Sequence, residues 1–421
     1  MSELAHTIAR NKENCKACVA CAKICPTRAI RVYHNAVAVK PELCIDCGEC
    51  IRACRNNAVF AITSSTSDLK KYKYTVAITS PTLYGQFGAN VHPSTILHAL
   101  LSLGFNDYYD VSWMSEMVGR AIDTYLSEAG EPWPKISVNC PAIIRLIMIR
   151  YPDLVPHLIP IETPRELSAK FIRKKLSVDL SLSPEEIGIF FITPCSAIMQ
   201  SIERPVALEK SHIDGAFSIN DVYPRLLRTV KDSDYLNPDM KFSARGILWA
   251  MSRGEIGCIR DRNTLAISGV HEVTSVFDRI ESGKFLSTDY IEAYICPGGC
   301  VSGPLVMEER YMAERNIRRM MEEIRVQDRV SEEKVRALFR QHFFSFEEAI
   351  KARPLKPMGG NLKQAIALKK EKSLVLEKLA HKDCAACGAP DCETLAQDIV
   401  AGEASPDNCV FIKIENLQTK K

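Results

Sequence analysis

The sequence predicts an α/β protein with parallel sheets, flanked by two small cysteine-rich segments. Three observations predict it. From Tyr74 onward, apolar β-prone runs alternate with helical ones, the pattern of helices covering a parallel sheet. Three of the β-prone runs lead into cysteine turns: Lys135 to Pro141 (KISVNCP), Ile187 to Ala197 (IGIFFITPCSA) and Tyr290 to Pro304 (YIEAYICPGGCVSGP). Cysteines also crowd both ends of the chain at short, regular spacings.

The chain has 421 residues, too many for one core, so several domains are expected. Its 46% hydrophobic and 25% charged residues are ordinary for a globular protein. A net charge of +3 gives no strongly basic surface and argues against a nucleic-acid partner. The seventeen cysteines are the excess. The opening MSELAHTIAR holds no apolar core segment, and no apolar run is long enough to span a bilayer. A cytoplasmic protein without a membrane span is therefore expected. In that reducing compartment the cysteines read as metal or redox sites, not disulfides.

Residues 1–63 carry an internal repeat. Cys15, Cys18, Cys21 and Cys25 are spaced C-x2-C-x2-C-x3-C, and Cys44, Cys47, Cys50 and Cys54 repeat that spacing. It is the spacing of two-cluster ferredoxins, in which the fourth cysteine of each run binds the other cluster. Cys15, Cys18, Cys21 and Cys54 would hold one 4Fe-4S cube, and Cys44, Cys47, Cys50 and Cys25 the other, in a small α+β domain. Two zinc sites are the alternative, but zinc does not call for an eight-cysteine repeat.

Ser64 to Lys73 reads as a polar linker to a domain over 74–354. There, strands are expected at 75–81, 135–139, 187–193 and 264–269. Helices are expected at 94–105, 142–151, 166–176 and 272–283, with stops at Gly104, Pro152 and Gly283. Ligand sites in such sheets lie off the carboxyl ends of strands, where Cys140, Cys195, Cys296 and Cys300 all fall. Four thiolates there suit a tetrahedral zinc or an iron–sulfur cluster. Residues 310–350 are charged and helical, 355–361 (LKPMGGN) breaks the pattern, and 361–421 forms a helix and a last cysteine set: Cys384, Cys387, Cys392 and Cys409.

These residues resemble the FeFe hydrogenases. Cys140-Pro141 followed by Tyr151-Pro152-Asp153-Leu154 is similar to the family's first signature loop, Thr193 to Ala197 (TPCSA) to its second, and Glu292 to Cys300 to its third. Ser80 to Gly88 (SPTLYGQFG) resembles its opening strand and loop. The resemblance implies a two-lobed α/β domain with the H-cluster between the lobes. Cys140, Cys195, Cys296 and Cys300 would hold its 4Fe-4S cube. Cys300 would bridge to a diiron unit with CO, cyanide and a dithiolate, and Ser80, Pro81, Thr193, Pro194 and Tyr294 would line the cofactor. It also implies hydrogen and protons as substrates, with ferredoxin or a signalling protein as redox partner. The C-terminal set resembles another small 4Fe-4S domain, C-x2-C-G-x3-C with a distant fourth cysteine; a structural zinc is the alternative.

The sequence departs from the family where protons move. The relay cysteine before the first ligand is Asn139, and the relay serine falls on Ile159. The lysine that would bond a cyanide is Ile198. The family's methionine before the second loop's Pro-Cys is Thr193 here and the one before the third-loop cysteine is Tyr294, and the family's Gly-Gly-Val-Met loop reads Ser252-Arg253-Gly254-Glu255. Kept ligands with an altered proton route resemble the sensory branches, here the group without a PAS domain. Slow, reversible hydrogen oxidation and proton reduction in a hydrogen or redox sensor is expected. A fully catalytic ferredoxin-dependent hydrogenase, or an electron-transfer or assembly protein carrying only a cube, are the alternatives. Glu255 and Cys258 in the altered loop, and Glu116 in a segment aligned with the relay glutamates, are candidates for replacement proton carriers. Glu116 is set against a surface carboxylate and Cys258 against a buried inert thiol.

Overall fold

The computed structural model describes residues 6–33, 36–233, 235–237, 240, 242–323, 330–355 and 361–418. Residues 324–329 of the expected 310–350 helical stretch, and 356–360 of the expected break, lie outside them. The chain forms two compact units. One is residues 62–352; the other joins residues 1–61 to 353–421.

In the joined unit, strands β1 (Ile8–Arg10), β2 (Ile30–Tyr33), β3 (Ala36–Val39) and β4 (Val59–Ala61) form two antiparallel pairs, β1 with β4 and β2 with β3. Short helices Ala20–Ile24 and Glu49–Ala53 each contain the third cysteine of a run, Cys21 and Cys50. The C-terminal part supplies helices Leu362–Glu377, Cys392–Val400 and Val410–Gln418. The sequence separates the two ends of the chain as independent domains. The structure joins them in one compact unit, with a buried carboxylate, Asp398, paired to Arg31 of β2.

The larger unit holds two parallel sheets. The first has the order β6-β5-β8-β9, from β6 (Asp107–Asp110), β5 (Tyr74–Thr79), β8 (Ile187–Thr193) and β9 (Gly215–Ser218). All seven residues of β8 are buried, as a central parallel strand covered on both faces must be. The second has the order β10-β11-β7, from β10 (Thr264–Ser268), β11 (Tyr290–Tyr294) and β7 (Lys135–Ile136). Pairing is parallel throughout. Strand β7 is shorter than the sequence predicts, since Ser137 turns to a side-chain partner and Asn139 bonds Ser137. The sequence also misses β6 and β9: DYYD is too polar and GAFS too short for a period-2 signal.

Helices fall where the pattern puts them: Pro93–Ala99, Pro141–Arg150, Pro164–Asp179 and Val270–Glu281. The expected linker is corrected. Ser64 bonds Ala216 at the edge of β9, Ser65 and Asp68 cap a short helix Thr66–Leu69, and Leu69 is buried in the core. No helix among the described residues is long and apolar enough to cross a membrane.

Candidate functional site

Each cysteine turn starts where a strand ends. Cys140 is the N-cap of helix Pro141–Arg150, just beyond β7, and Cys195 the N-cap of helix Ser196–Glu203, beyond β8. Proline at the first position of Pro141–Arg150 fits a turn whose N–H has no helical partner. Cys296 and Cys300 follow β11, with Cys300 opening the turn Cys300–Ser302. Gly299 sits at φ +99, and a Cβ on it would lie 2.6 Å from the Ser252 nitrogen. The loop can therefore press onto the Ser252 segment only with glycine there. Its neighbour Gly298 accepts a hydrogen bond from Ser252 N–H at 2.8 Å, and Leu305 N–H donates to the Pro194 carbonyl at 3.0 Å. The second and third cysteine loops are thus tied directly to each other.

The four sulfurs feel one another. Burial pushes the Cys300 thiol well up, and the charges of Cys195, Cys140 and Cys296 push it further. Burial and then Cys140 take Cys195 up to about 12. The ends of both sheets thus bring the four predicted cysteines into one dry cradle. Four bare thiolates would be unstable there; a cationic metal cluster that deprotonates its ligands fits the set. No disulfide forms among the described residues, and no three Cys, His, Asp or Glu side chains among them close round a single metal ion. A cube holds its ligands further apart than one zinc ion with sulfur at about 2.3 Å would.

The predicted lining residues sit at the same strand ends. Ser80 N–H donates to the Ile192 carbonyl at 3.3 Å, and Pro81 opens the turn Pro81–Gln86. Thr193 Oγ1 donates to the Cys195 carbonyl at 2.9 Å and accepts its N–H at 3.2 Å, closing the turn around Pro194. Tyr294 is fully buried, and its hydroxyl accepts from Asn139 Nδ2 at 3.0 Å. Ile159 is buried and Ile198 is buried in an apolar cluster, and neither side chain can pass a proton.

Asn139 and the three candidate proton carriers fall into two places. Asn139, beside Cys140, donates its backbone N–H to Ser137 Oγ at 3.2 Å; Ser137 Oγ donates to Glu255 Oε2 at 2.9 Å, and the Tyr290 hydroxyl donates to Glu255 Oε1. Burial, and then the neighbouring Glu292, holds Glu255 well above the ordinary carboxylate range. Glu292 in turn accepts the N–H groups of Arg253 (2.5 Å) and Ile256 (3.0 Å), fixing the altered loop. Cys258 is buried, closely packed on Gly119, and burial raises its thiol to about 11, so it stays a protonated, inert thiol at neutral pH.

Glu116 is corrected from a surface carboxylate: it is 2% exposed, accepts from Ser243 Oγ at 2.6 Å and pairs with Arg120 at 3.6 Å. Arg120 meets the half-exposed Glu332 at 3.3 Å in a polar cleft with Arg260 and Arg262. A chain of charged side chains therefore runs from Glu116 to the surface. The sequence hides it because Glu332 is 216 positions away.

Arg165 is the residue the sequence reading misses. It is 8% exposed, its Nη1 donates to the Asn139 carbonyl at 3.1 Å, and its buried Nε has no hydrogen-bond partner. Its charge pulls down the thiols of Cys140, Cys195 and Cys300 against their burial. On its other side, the buried Glu162 and Glu166 line a largely apolar cavity that also meets Pro141 and Ile144. The Thr163-Pro164 start of a helix was a visible signal, but nothing in the sequence aims the next side chain at the cysteines. In Arg165→Gln protein the cradle's cluster should become harder to reduce by about 60–120 mV. That range converts the about 1.5–3 kcal/mol of a hydrogen bond to a charged group at 59 mV per tenfold for one electron. A potentiometric titration followed by electron paramagnetic resonance checks it; an unchanged potential would show that Arg165 does not act on the cluster.

The terminal sets repeat one local geometry. Val19, Gly48 and Gly388, each directly after the second cysteine of a Cys-x2-Cys step, all have positive φ, as do Ala17 and Asp46 directly before that cysteine in the two N-terminal runs. Ala29 N–H donates to Cys25 Sγ and Ala58 N–H to Cys54 Sγ, each at 3.2 Å. An apolar cavity is lined by Cys25, Cys44, Cys47 and Cys50 together, the crossed set of the ferredoxin pattern.

Comparison with known proteins agrees in outline. The family model "Iron only hydrogenase large subunit, C-terminal domain" matches residues 73–229 and 241–304. A "4Fe-4S dicluster domain" matches 7–55, and an Fe-S cluster family matches 379–411. Iron hydrogenase 1 of Clostridium pasteurianum is 22% identical over 267 residues, 52% of this chain and 46% of that protein. A cytosolic Fe-S cluster assembly factor NAR1 homolog of Schizosaccharomyces japonicus is 25% identical over 88 residues, 20% of this chain and 17% of that protein. The chain thus spans less than half the length of either curated relative. In fold, [FeFe]-hydrogenase HydA1 from Chlamydomonas reinhardtii aligns at a TM-score of 0.52 and 14% identity, covering 69% of this chain and 98% of that one.

Proposed function

This chain belongs to the iron-only hydrogenase family, and from that premise we propose that it binds an H-cluster and interconverts hydrogen with protons and electrons slowly, as a hydrogen or redox sensor. The observation that carries the reading is the convergence of four cysteines from the carboxyl ends of two parallel sheets, with a non-titrating residue, Asn139, beside the first of them. Cys140, Cys195, Cys296 and Cys300 would hold a cube, and Cys300 would bridge it to a diiron unit. When bound, that group supplies an iron site where hydrogen is split heterolytically; the protein supplies dryness, charge and proton access. Ser80, Pro81, Thr193, Pro194 and Tyr294 shape the walls. Arg165 offers positive charge to an anionic cofactor. Asn139 can hydrogen-bond but cannot carry a proton. Ser137, Glu255 and Tyr290 form a buried donor–acceptor chain that begins one hydrogen bond from Asn139, and Glu116 with Arg120 forms a second. The terminal cysteine sets would carry electrons to a ferredoxin or signalling partner in the cytoplasm.

Infrared spectroscopy after reconstitution with the synthetic diiron complex tests the reading: bands of bound CO and cyanide are expected. Iron-replete, folded protein without those bands would defeat it. A second reading, a protein carrying the cube alone, is favoured by the match to the assembly factor and by Tyr294, a large buried side chain where a methionine is usual; the same spectrum separates the two. Fully loaded protein should hold roughly eighteen iron atoms per chain, four cubes and one diiron unit. Iron analysis at about half of that would overturn the four-cube assignment.

A further inference from the structure

The ends of the chain meet through contacts that lie next to cluster ligands on both sides. Gly388, immediately after Cys387, accepts the Val32 N–H at 2.8 Å, and a Cβ on it would lie 1.8 Å from the Val32 carbonyl oxygen. The C-terminal cysteine loop is therefore pressed onto β2, backbone to backbone, at a position with φ +93 that only glycine fills easily. Arg28, three residues after Cys25, reaches Asp391 at 2.6 Å and Glu393 at 2.8 Å, the two residues that bracket Cys392. Lys40, four residues before Cys44, reaches Glu403 at 2.7 Å and Asp398 at 3.3 Å. At the centre, Asp398 is wholly buried and takes both a forked Arg31 guanidinium and the Tyr33 hydroxyl, the latter at 2.6 Å. Tyr33 packs into the same apolar cluster as Leu379, Cys387 and Cys392. A buried, forked ion pair of this kind fixes geometry more than it adds stability. Each contact comes from the side of the repeat that carries Cys25 and Cys44.

We propose that the C-terminal cysteine set is wired to the N-terminal repeat: a cube on Cys384, Cys387, Cys392 and Cys409 sits beside the cube on Cys44, Cys47, Cys50 and Cys25, and the two exchange single electrons across the Gly388–Val32 and Arg28–Asp391 contacts. One cube loses the electron that its neighbour gains, so no further reactant enters the step; the first electron comes from a one-electron reductant, dithionite in the test. The proposal rests on the reading of both sets as 4Fe-4S sites, and it is independent of the diiron unit.

The test uses full-length protein reduced with dithionite. In partly reduced wild-type protein, pulsed dipolar resonance should show the C-terminal cube strongly coupled to a cube of the repeat. In Cys392→Ala protein that coupling disappears, along with about four iron atoms per chain, while the repeat keeps its own signals. Asp398→Asn should retain all the iron and weaken the coupling. Wild-type protein in which the C-terminal signal is magnetically isolated would overturn the proposal, and so would Cys392→Ala protein with unchanged iron. Since CO and cyanide bands are read separately, either this proposal or the hydrogenase reading can fail without the other.

Discussion

Cys300→Ala protein is expected to show no hydrogen activity while keeping most of its iron. Cys300 stands at the start of a tight turn whose backbone is set by Gly299 and by Gly303, whose Cβ would lie 2.3 Å from the Pro194 carbonyl oxygen. Alanine at 300 keeps that backbone and removes one thiolate. A cube in the cradle would then lose a ligand, and the proposed diiron unit its bridge. The terminal cysteine sets lie in the other compact unit, so their clusters should survive. Dye-linked hydrogen oxidation together with iron analysis checks both halves. Retained activity in a folded variant would refute the assignment of Cys300.

Asn139→Cys should raise turnover, by up to the ~10²–10⁴ that a missing acid–base group commonly costs. Asn139 is held by three bonds: its N–H to Ser137, its carbonyl from Arg165 and its amide to Tyr294. Cysteine keeps the two backbone bonds and gives up the third, at a cost of about 1 kcal/mol. It adds a thiol that can carry a proton where an amide cannot. Infrared bands should hardly move, because Asn139 is not a ligand. The gain falls short of the full range if buried Ile159 still blocks the path beyond. Glu255 decides whether another path already operates. Its carboxyl is held up by burial and by Glu292, so it keeps a proton at neutral pH and surrenders it as the pH rises. A rate that depends on that proton falls toward alkaline pH, and Glu255→Gln in the Asn139 background lowers it further. Should neither substitution change the rate or its solvent-deuterium dependence, proton delivery is not limiting and the slow-sensor reading loses its physical basis.

The alternation of strands and helices, the strand-end cysteines and the eight-cysteine repeat were legible because each is written in neighbouring residues. The first Cys-x2-Cys steps of the terminal sets share a positive-φ residue directly after their second cysteine, and β8 is buried at every position because both of its faces are covered. The family resemblance, not spacing, marked Asn139, Glu255 and Glu116 as candidates. It left Glu116 between the interior and the surface, since an isolated glutamate looks the same in either. The rest was decided by tertiary structure. Arg165 turns toward Cys140, Cys195 and Cys300 from a separate helix; Glu255 meets Ser137 and Tyr290 from 118 and 35 positions away; Asp398 finds Arg31 across 367. Charges buried in this way are tolerable only when paired. Which partner each receives depends on how elements distant in sequence pack, so the candidate cysteines can be read from neighbouring residues while their charged surroundings exist only in the folded chain.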